Sequence, residues 1–296
     1  TTYGKLKKGD LLVCNFDDSS GKAGEGTTIE VLDPKAGSKP VTFAQSSDIK
    51  GCDGDAITTG NQVYATGLTS GEMVWINEKG QSKKTYTNGL VAPLGNAEAP
   101  PIYLYSAEYI FGGDAQTGDV SSLSLGAYGT HKLLDVITHF AVNKKPGWKA
   151  LGPTGFSYKK KIDTLYVVDG ACNVVVSVNS ASALLQTGEI VVQKGCKTFK
   201  CKYPKTSCGK VVLSGKPLDA PEAEAILPNG NLIVANTAGG NTLVEVTPTG
   251  QVLDTKVVDK SKGQGVFGLM AIGTNDGNTA LFYTDTNDNS LHELEQ

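Results

Sequence analysis

The sequence contains no arginine: all 27 basic residues among its 296 are lysine. Arginine is the side chain that clamps carboxylates and phosphates with two parallel hydrogen bonds, so any recognition of anions here depends on lysine alone. The formal net charge of −3 gives no basis for binding nucleic acid. No apolar run approaches the roughly 18 residues that a membrane span requires, so no membrane span is expected.

Histidine and the usual catalytic signatures are also scarce. The chain has only 3 histidines, His131, His139 and His292. No Gly-x-Ser-x-Gly sequence is present to support a Ser-His-Asp hydrolase of the α/β type. The scarcity of histidine and the lack of this motif favour a function that does not use histidine to activate a nucleophile.

What the sequence does have is a repeated phrase, a polar turn followed by a short β-branched strand that ends in a small or polar residue. The clearest copy spans residues 228–236. Other copies lie at 8–16, 60–67, 107–114, 162–169 and 278–285. Short strands at such regular spacing, with 36 Gly and 12 Pro in the chain, predict an all-β radial repeat in which each unit buries its faces against its neighbours. We therefore predict a six-bladed β-propeller in a single domain.

The predicted blades cover residues 1–50, 51–95, 96–145, 146–218, 219–262 and 263–296. The fourth blade carries a cysteine-rich insertion at residues 195–209. The last unit stops after three strands, and only residues 1–9 precede the first copy of the repeated strand. We expect the N-terminus to pair with the last blade and so to close the ring.

The 6 cysteines are Cys14, Cys52, Cys172, Cys196, Cys201 and Cys208. An even number without a catalytic signature favours disulfides and a secreted or periplasmic location. The spacing within the insertion is not that of a structural zinc site. Cys14 and Cys52 fall at the inner part of adjacent repeats and are a plausible pair. Cys172 would then pair with one cysteine of the insertion, and the other two would pair locally.

The fifth and sixth units resemble the NHL-repeat group of β-propellers. The residues that carry this resemblance are 227–236, 244–252 and 284–291, and the segment 9–16 is similar to the start of secreted bacterial NHL-repeat proteins. Members of this group act as binding scaffolds, lyases and lactonases, so the resemblance implies a fold and not an activity. The zinc-dependent amidating lyases use several histidines with an arginine, which this chain does not supply. The calcium-dependent lactonases use Glu, Asp and Asn at the ends of inner strands, and here a partial match exists.

Acidic residues occupy the starts of three predicted inner strands, where the NHL pattern usually reads Gly-Pro-x-Gly. Inner strands of a propeller line its central channel, and their starts are expected to converge at one end. Carboxylates gathered around a narrow axis need a cation, a proton or water, and Ca²⁺ takes 6 to 8 oxygen ligands of this kind. The predicted metal ligands are Glu98, Glu222, Glu224, Asp53, Asp55 and Asn96. The alternatives are a hydrated acidic channel, or carboxylates that accept hydrogen bonds from backbone N–H groups of the next blade.

Two functions follow from this reading. The first is a secreted propeller that binds a small molecule or a protein ligand at its face, with a metal ion in the channel. The alternative is a calcium-dependent lactonase or ester hydrolase that uses the axial carboxylates. A redox role for the cysteines is a third reading, and it requires free thiols.

Overall fold

A computed structural model describes residues 2–127, 129–143, 152–238, 240–273 and 278–295. The chain begins with a two-stranded hairpin, β1 (Thr2–Tyr3) and β2 (Leu6–Lys7). Sheet 1 contains β3 (Leu11–Cys14), β4 (Thr28–Leu32) and β5 (Val41–Gln45). Sheet 2 contains β6 (Cys52–Ile57), β7 (Val63–Gly67), β8 (Glu72–Ile76) and β9 (Ser82–Tyr86).

In each of the next two blades, four strands pair antiparallel in order. Sheet 3 contains β10 (Pro93–Ala99), β11 (Glu108–Asp114), β12 (Val120–Leu125) and β13 (Leu133–Thr138). Sheet 4 begins with β14 (Pro153–Lys159), β15 (Thr164–Asp169) and β16 (Val174–Asn179). An insertion with β17 (Ile190–Val192) and β18 (Phe199–Cys201) follows, and β19 (Gly209–Ser214) then completes sheet 4.

The last two sheets complete the ring. Sheet 5 contains β20 (Pro221–Ile226), β21 (Leu232–Asn236), β22 (Thr242–Val246) and β23 (Val252–Val257). Sheet 6 contains β24 (Val266–Gly273), β25 (Thr279–Asp285) and β26 (Ser290–Glu295). Single 3-10 turns lie at Ser47–Ile49, Lys160–Ile162 and Ala181–Ala183. No helix in the described residues is long and apolar enough to cross a membrane.

These six sheets are the blades of a six-bladed β-propeller, which confirms the predicted fold class. The repeated phrase forms the second strand of each blade. In β7, β15 and β21 every residue is buried, because a second strand is covered by neighbouring blades on both faces. The turns before these strands need left-handed backbone, supplied by Asn61 (φ 59°) before β7 and Gly230 (φ 93°) before β21.

Apolar clusters fill the space between neighbouring blades. Phe111 of sheet 3 packs in one cluster with Leu165 of sheet 4, and Tyr166 of sheet 4 packs with Leu232 of sheet 5. The junction of sheets 6 and 1 is much smaller. Leu11 there packs with Ala280 and Phe282, so the ring closes through side-chain packing.

The structure corrects the expected closure of the ring. The hairpin β1–β2 pairs with no strand of sheet 6 among the described residues. The Lys5 N–H instead donates a hydrogen bond of 2.9 Å to the Glu78 carbonyl, which places the start of the chain against blade 2. Blades 1 and 6 each have three described strands. In the other blades, the second strand contacts the inner strand of the next blade. The strand β3 contacts β6 in the same way, so β3 takes the position of a second strand in blade 1. Within the described residues, the channel wall is therefore built from β6, β10, β14, β20 and β24.

The insertion interrupts sheet 4 between β16 and β19, and it also reaches the neighbouring blade. Its strand β17 pairs in parallel with β13 at the outer edge of sheet 3. Ile137 aligns with Ile190 and Thr138 with Val191 in this pairing. The insertion therefore bridges blades 3 and 4, and such a long-range pairing leaves no local pattern in the sequence.

All six cysteines are paired, which confirms the predicted use of disulfides. The bonds join Cys14 to Cys52, Cys172 to Cys196 and Cys201 to Cys208. The first ties blade 1 to the inner strand of blade 2, and the other two hold the insertion. No free thiol remains to support a redox function. Three disulfides are typical of proteins that fold outside the reducing cytosol.

Candidate functional site

The inner strands approach each other very closely around the channel. A Cβ atom built on Gly54 would lie 2.6 Å from the Gly95 Cα atom of the next inner strand. Such an approach tolerates only glycine at this point. It brings the side chains of β6, β10, β14 and β20 into a narrow space in which carboxylates are surrounded by protein.

Asp53 and Glu222 are each the second residue of an inner strand, β6 and β20. Burial raises the pKa of Asp53 to about 6, although Asp53 Oδ2 accepts a hydrogen bond of 2.8 Å from the Gly95 N–H. The pKa of Glu222 is raised well above its usual range, first by burial and then by the charges of Asp53 and Asp169. These two predicted residues therefore share one end of the channel and repel each other when ionised.

Asp55 and Glu224 lie two residues further along the same strands. Burial alone raises the pKa of Asp55 to about 6. Glu224 is only 4 % exposed, and neither of its carboxylate oxygens has a hydrogen-bond partner. Burial raises the pKa of Glu224 well above its usual range, and the nearby Ser157 opposes this only in part. An ionised Glu224 would be a buried charge without compensation, which is strongly unfavourable.

The Asn96 side chain is used mainly by the fold. Its Nδ2 donates hydrogen bonds to the carbonyls of Gly54 (3.3 Å) and Tyr64 (3.0 Å), so it ties blade 3 to blade 2. Only its Oδ1 atom is buried without a partner. Asn96 can therefore offer one oxygen to a ligand while its amide group is fixed.

Glu98 departs from the expected convergence at one end. It is the sixth of seven residues in β10, so it lies toward the end opposite to Asp53 and Glu222. Burial raises the pKa of Glu98 to about 8, and the neighbouring carboxyl group of Glu108 adds to this shift. Glu108 itself accepts a hydrogen bond of 2.7 Å from the Thr59 N–H. The expected ring of carboxylates is thus spread along the channel, because residues two apart on a strand are separated by about 6.6 Å.

Two hydroxyl groups on β14 belong to this site and were not predicted. Thr154 Oγ1 and Ser157 Oγ are buried and lack hydrogen-bond partners. Thr154 lies beside Glu222, and Ser157 lies beside Glu224. The segment 152–156 keeps the usual NHL pattern, so no acidic residue marks it in the sequence. The available signal was its place next to the acidic strand β20 in the ring.

Other groups of possible metal ligands lie outside the channel. Among the residues that the structure describes, ligand atoms within 4.8 Å of one another occur in two groups of three. One is Asp169 with Cys172 and Cys196, whose sulfurs are consumed by a disulfide. The other is Asp285, Asp288 and His292 at the turn before β26. Neither group includes a channel carboxylate, so a cation in the channel would need hydroxyls, carbonyls or water in addition.

No family model matches this chain, and no curated protein matches it in sequence. Solved structures do match over nearly the whole chain. A chain of a nidogen/laminin complex aligns with a TM-score of 0.65 and 16 % identity, covering 97 % of this chain and 89 % of that one.

Two enzymes show a similar degree of likeness. A catalytically inactive virginiamycin B lyase from Staphylococcus aureus with quinupristin aligns with a TM-score of 0.56 and 12 % identity, covering 97 % of this chain and 87 % of that one. A luciferin-regenerating enzyme aligns with a TM-score of 0.56 and 14 % identity, covering 95 % and 83 %. At these identities the comparisons show the fold, a β-propeller, and leave the activity open.

Proposed function

We propose that the protein is a secreted, NHL-type propeller whose channel binds a divalent cation of the calcium class. The observation that carries this proposal is Glu224, a nearly buried carboxylate whose two oxygens lack hydrogen-bond partners. Ser157 and Thr154 beside the channel carboxylates are also unpartnered. Natural folds rarely leave several buried polar groups unsatisfied in one place, and a bound ligand is one common reason.

The available donors suit calcium better than a transition metal. Glu222 and Asp53 with the hydroxyl of Thr154 supply oxygens at one level of the channel, and Glu224 with the hydroxyl of Ser157 supplies oxygens at the next level. All are oxygen donors, and calcium takes 6 to 8 oxygens with flexible geometry and often includes water. Because the carboxyl groups have raised pKa values, cation binding would release protons from them.

Around this cation the protein would act as a scaffold that binds a small molecule or a protein ligand at the propeller face. The channel mouth is the natural place for such a ligand, because a cation there could be shared between protein carboxylates and an anionic or carbonyl oxygen of the ligand. A chain of similar fold occurs in the nidogen/laminin complex. This supports the binding role by analogy of fold alone.

One observation favours the alternative, a calcium-dependent lactonase or ester hydrolase. Burial places the pKa values of Asp53 and Asp55 at about 6 and that of Glu98 at about 8. Carboxyl groups that titrate near neutral pH are suited to general acid–base catalysis. In this reading the cation would polarise the carbonyl of an ester, and Asp53 or Asp55 would accept a proton from water.

The test is a metal analysis of protein purified in calcium and dialysed, followed by turnover assays on simple esters and lactones. We expect bound calcium in the wild type and in Glu293→Gln, which changes an exposed glutamate, but not in Glu224→Gln. Absence of any bound divalent ion, with no loss of stability on chelation, would overturn the cation site. Ester or lactone turnover that Glu224→Gln abolishes would replace the scaffold with the hydrolase.

A further inference from the structure

One face of the propeller collects the turns that join first to second strands and third to fourth strands, because successive antiparallel strands alternate in direction. We call this the turn face. Contacts link its turns from blade to blade: the Thr59 N–H bonds to Glu108 at 2.7 Å, and Gly273 lies against Pro228. These contacts tie the turn of blade 2 to blade 3 and the turn of blade 5 to β24 of blade 6.

The insertion extends this face between blades 3 and 4. Ser182 donates hydrogen bonds from its N–H (3.0 Å) and hydroxyl (2.7 Å) to Asp163, in the turn of blade 4. Asn179 Nδ2 donates to the Thr206 carbonyl at 2.8 Å. These bonds fix the insertion beside the 3-10 turn at Lys160–Ile162.

Positive charge is concentrated in this sector of the turn face. Lys160 and Lys161 are exposed on the turn of blade 4. The insertion and the start of β19 add the exposed Lys202, Lys205 and Lys210, whereas Lys194 and Lys197 flank Cys196, whose bond to Cys172 places them at the opposite face. The one acidic residue between 184 and 210, Glu189, is buried and accepts hydrogen bonds from the N–H groups of Leu185 and Gln186. A chain with a net charge of −3 thus carries a strongly basic patch.

Apolar side chains protrude from the same face. Tyr103 and Leu104 are 77 % and 84 % exposed at the tip of the loop between β10 and β11. Ile162 beside the two lysines is 52 % exposed, and Leu185 and Tyr203 of the insertion are 57 % and 46 % exposed. Scattered single exposed apolar residues need no explanation, but several on one basic face do.

The loop tip is held in its exposed form. The Ser106 hydroxyl accepts a hydrogen bond of 3.0 Å from the Tyr103 N–H and donates one of 2.9 Å to the Tyr103 carbonyl. In the insertion, the Cys201–Cys208 disulfide closes the loop that carries Tyr203. These tips are therefore built to project, because local bonds prevent them from folding back onto the blades.

We propose that the turn face docks on an anionic lipid bilayer, with Leu104 and its neighbours entering the headgroup region and the lysines facing the lipid charges. Membrane-surface binding combines buried apolar area with electrostatic attraction to anionic lipids, and both are present here. Tyrosine is enriched at the membrane–water boundary.

The geometry favours a bilayer over other anionic partners. A polysaccharide would use the lysines and leave the apolar tips in water. A protein partner would need pockets matched to several separate tips with hydrated lysines between them. A fluid bilayer accepts separate tips without shape complementarity.

The test is co-sedimentation with phosphatidylcholine vesicles, with and without phosphatidylserine. We expect binding only to the mixed vesicles, and binding that weakens as salt is raised. The double variant K161E/K205E should lower the partition coefficient by about five-fold or more for each lysine. The matched control K260E/K262E changes two exposed lysines on the opposite face and should have little effect. Equal binding to both kinds of vesicle, or to neither, would overturn the proposal.

A second measurement separates insertion from simple adhesion. In L104W, mixed vesicles should shift the added tryptophan emission to the blue, and lipids brominated on the acyl chains should quench it. L104S should weaken binding, whereas V91S, at a residue 50 % exposed on the opposite face, should not. Soluble heparin that binds as tightly as the vesicles, with L104S unaffected, would identify a polyanion site and overturn bilayer docking.

Discussion

Asp114 and Glu224 are both buried carboxylates, at 1 % and 4 % exposure, yet the fold treats them in opposite ways. Asp114 accepts four backbone hydrogen bonds, from the N–H groups of Val91 (2.6 Å), Ala92 (3.0 Å), Gln116 (2.9 Å) and Thr117 (2.9 Å). Glu224 accepts no hydrogen bond of normal geometry, although Ser157 lies beside it. Burial by itself therefore does not identify a functional carboxylate, and the state of its hydrogen bonds separates a structural role from a candidate site.

The largest effect on the free energy of unfolding is expected at Asp114, the carboxylate with four hydrogen bonds. Asp114→Ala should lower the free energy of unfolding by about 3 kcal/mol or more, because it leaves several buried N–H groups without partners. In chelator, Glu224→Gln should leave the free energy of unfolding unchanged or raise it by about 1 kcal/mol, because it removes a buried ionisable group. Denaturant unfolding of both variants checks this. Equal losses in the two variants would remove the distinction between them.

The order of the blades and their strands could be predicted from the sequence, because each turn and strand depends on residues close together in the chain. The turn at 228–231 and the strand β21 repeat around the chain, and each copy needs only its own turn residues and β-branched residues to be recognised. The position of Asp53, Asp55, Glu222 and Glu224 on inner strands followed from this repeat. The Cys14–Cys52 bond followed from the same alignment of blades.

The parts that could not be predicted depend on contacts between distant segments. Glu98 meets Glu108 across a hairpin, which makes Glu98 a member of a carboxyl pair at the other end of the channel. The pairing of β17 with β13 joins segments about 50 residues apart and has no pattern of its own. The lack of partners for the Ser157 and Thr154 hydroxyls depends on the side-chain geometry between β14 and β20, which the order of the blades alone does not give.

A smaller effect is expected from pH in the absence of metal. Asp55 has a pKa of about 6 in the folded protein against an ordinary value of 3.8. Between these values the folded protein keeps a proton that the unfolded chain has released, so the free energy of unfolding falls as pH rises from about 4 to about 6. Because Asp55 is only partly buried, we expect this contribution to be about 1–2 kcal/mol.

Asp55→Asn should flatten this pH dependence, and Asp254→Asn, at an exposed position of β23, should preserve it. Unfolding curves across this pH range in chelator provide the measurement. A wild-type protein that gains stability between pH 4 and pH 6 would show that channel burial does not hold the proton on Asp55.

The smallest effect on the free energy of unfolding is expected at a surface carboxylate that is paired with lysines. Glu25 forms ion pairs with Lys22 (3.3 Å) and with Lys50, and these lower its pKa. Water and salt screen such exposed pairs, so Glu25→Gln should give no measurable change in the denaturant midpoint. A clear loss would mean that surface charges contribute more to this propeller than its buried channel does.

The central claim, that the channel carboxyls form a cation site, is tested most directly by calorimetric titration of calcium in buffers of different ionisation enthalpy at about pH 6. Because Asp53 and Asp55 have pKa values of about 6 and those of Glu222 and Glu224 are raised further, binding should release protons from them. Glu224→Gln should bind more weakly and release fewer protons, and Glu293→Gln should match the wild type. Calcium binding without proton release, or the same release from Glu224→Gln, would contradict the account.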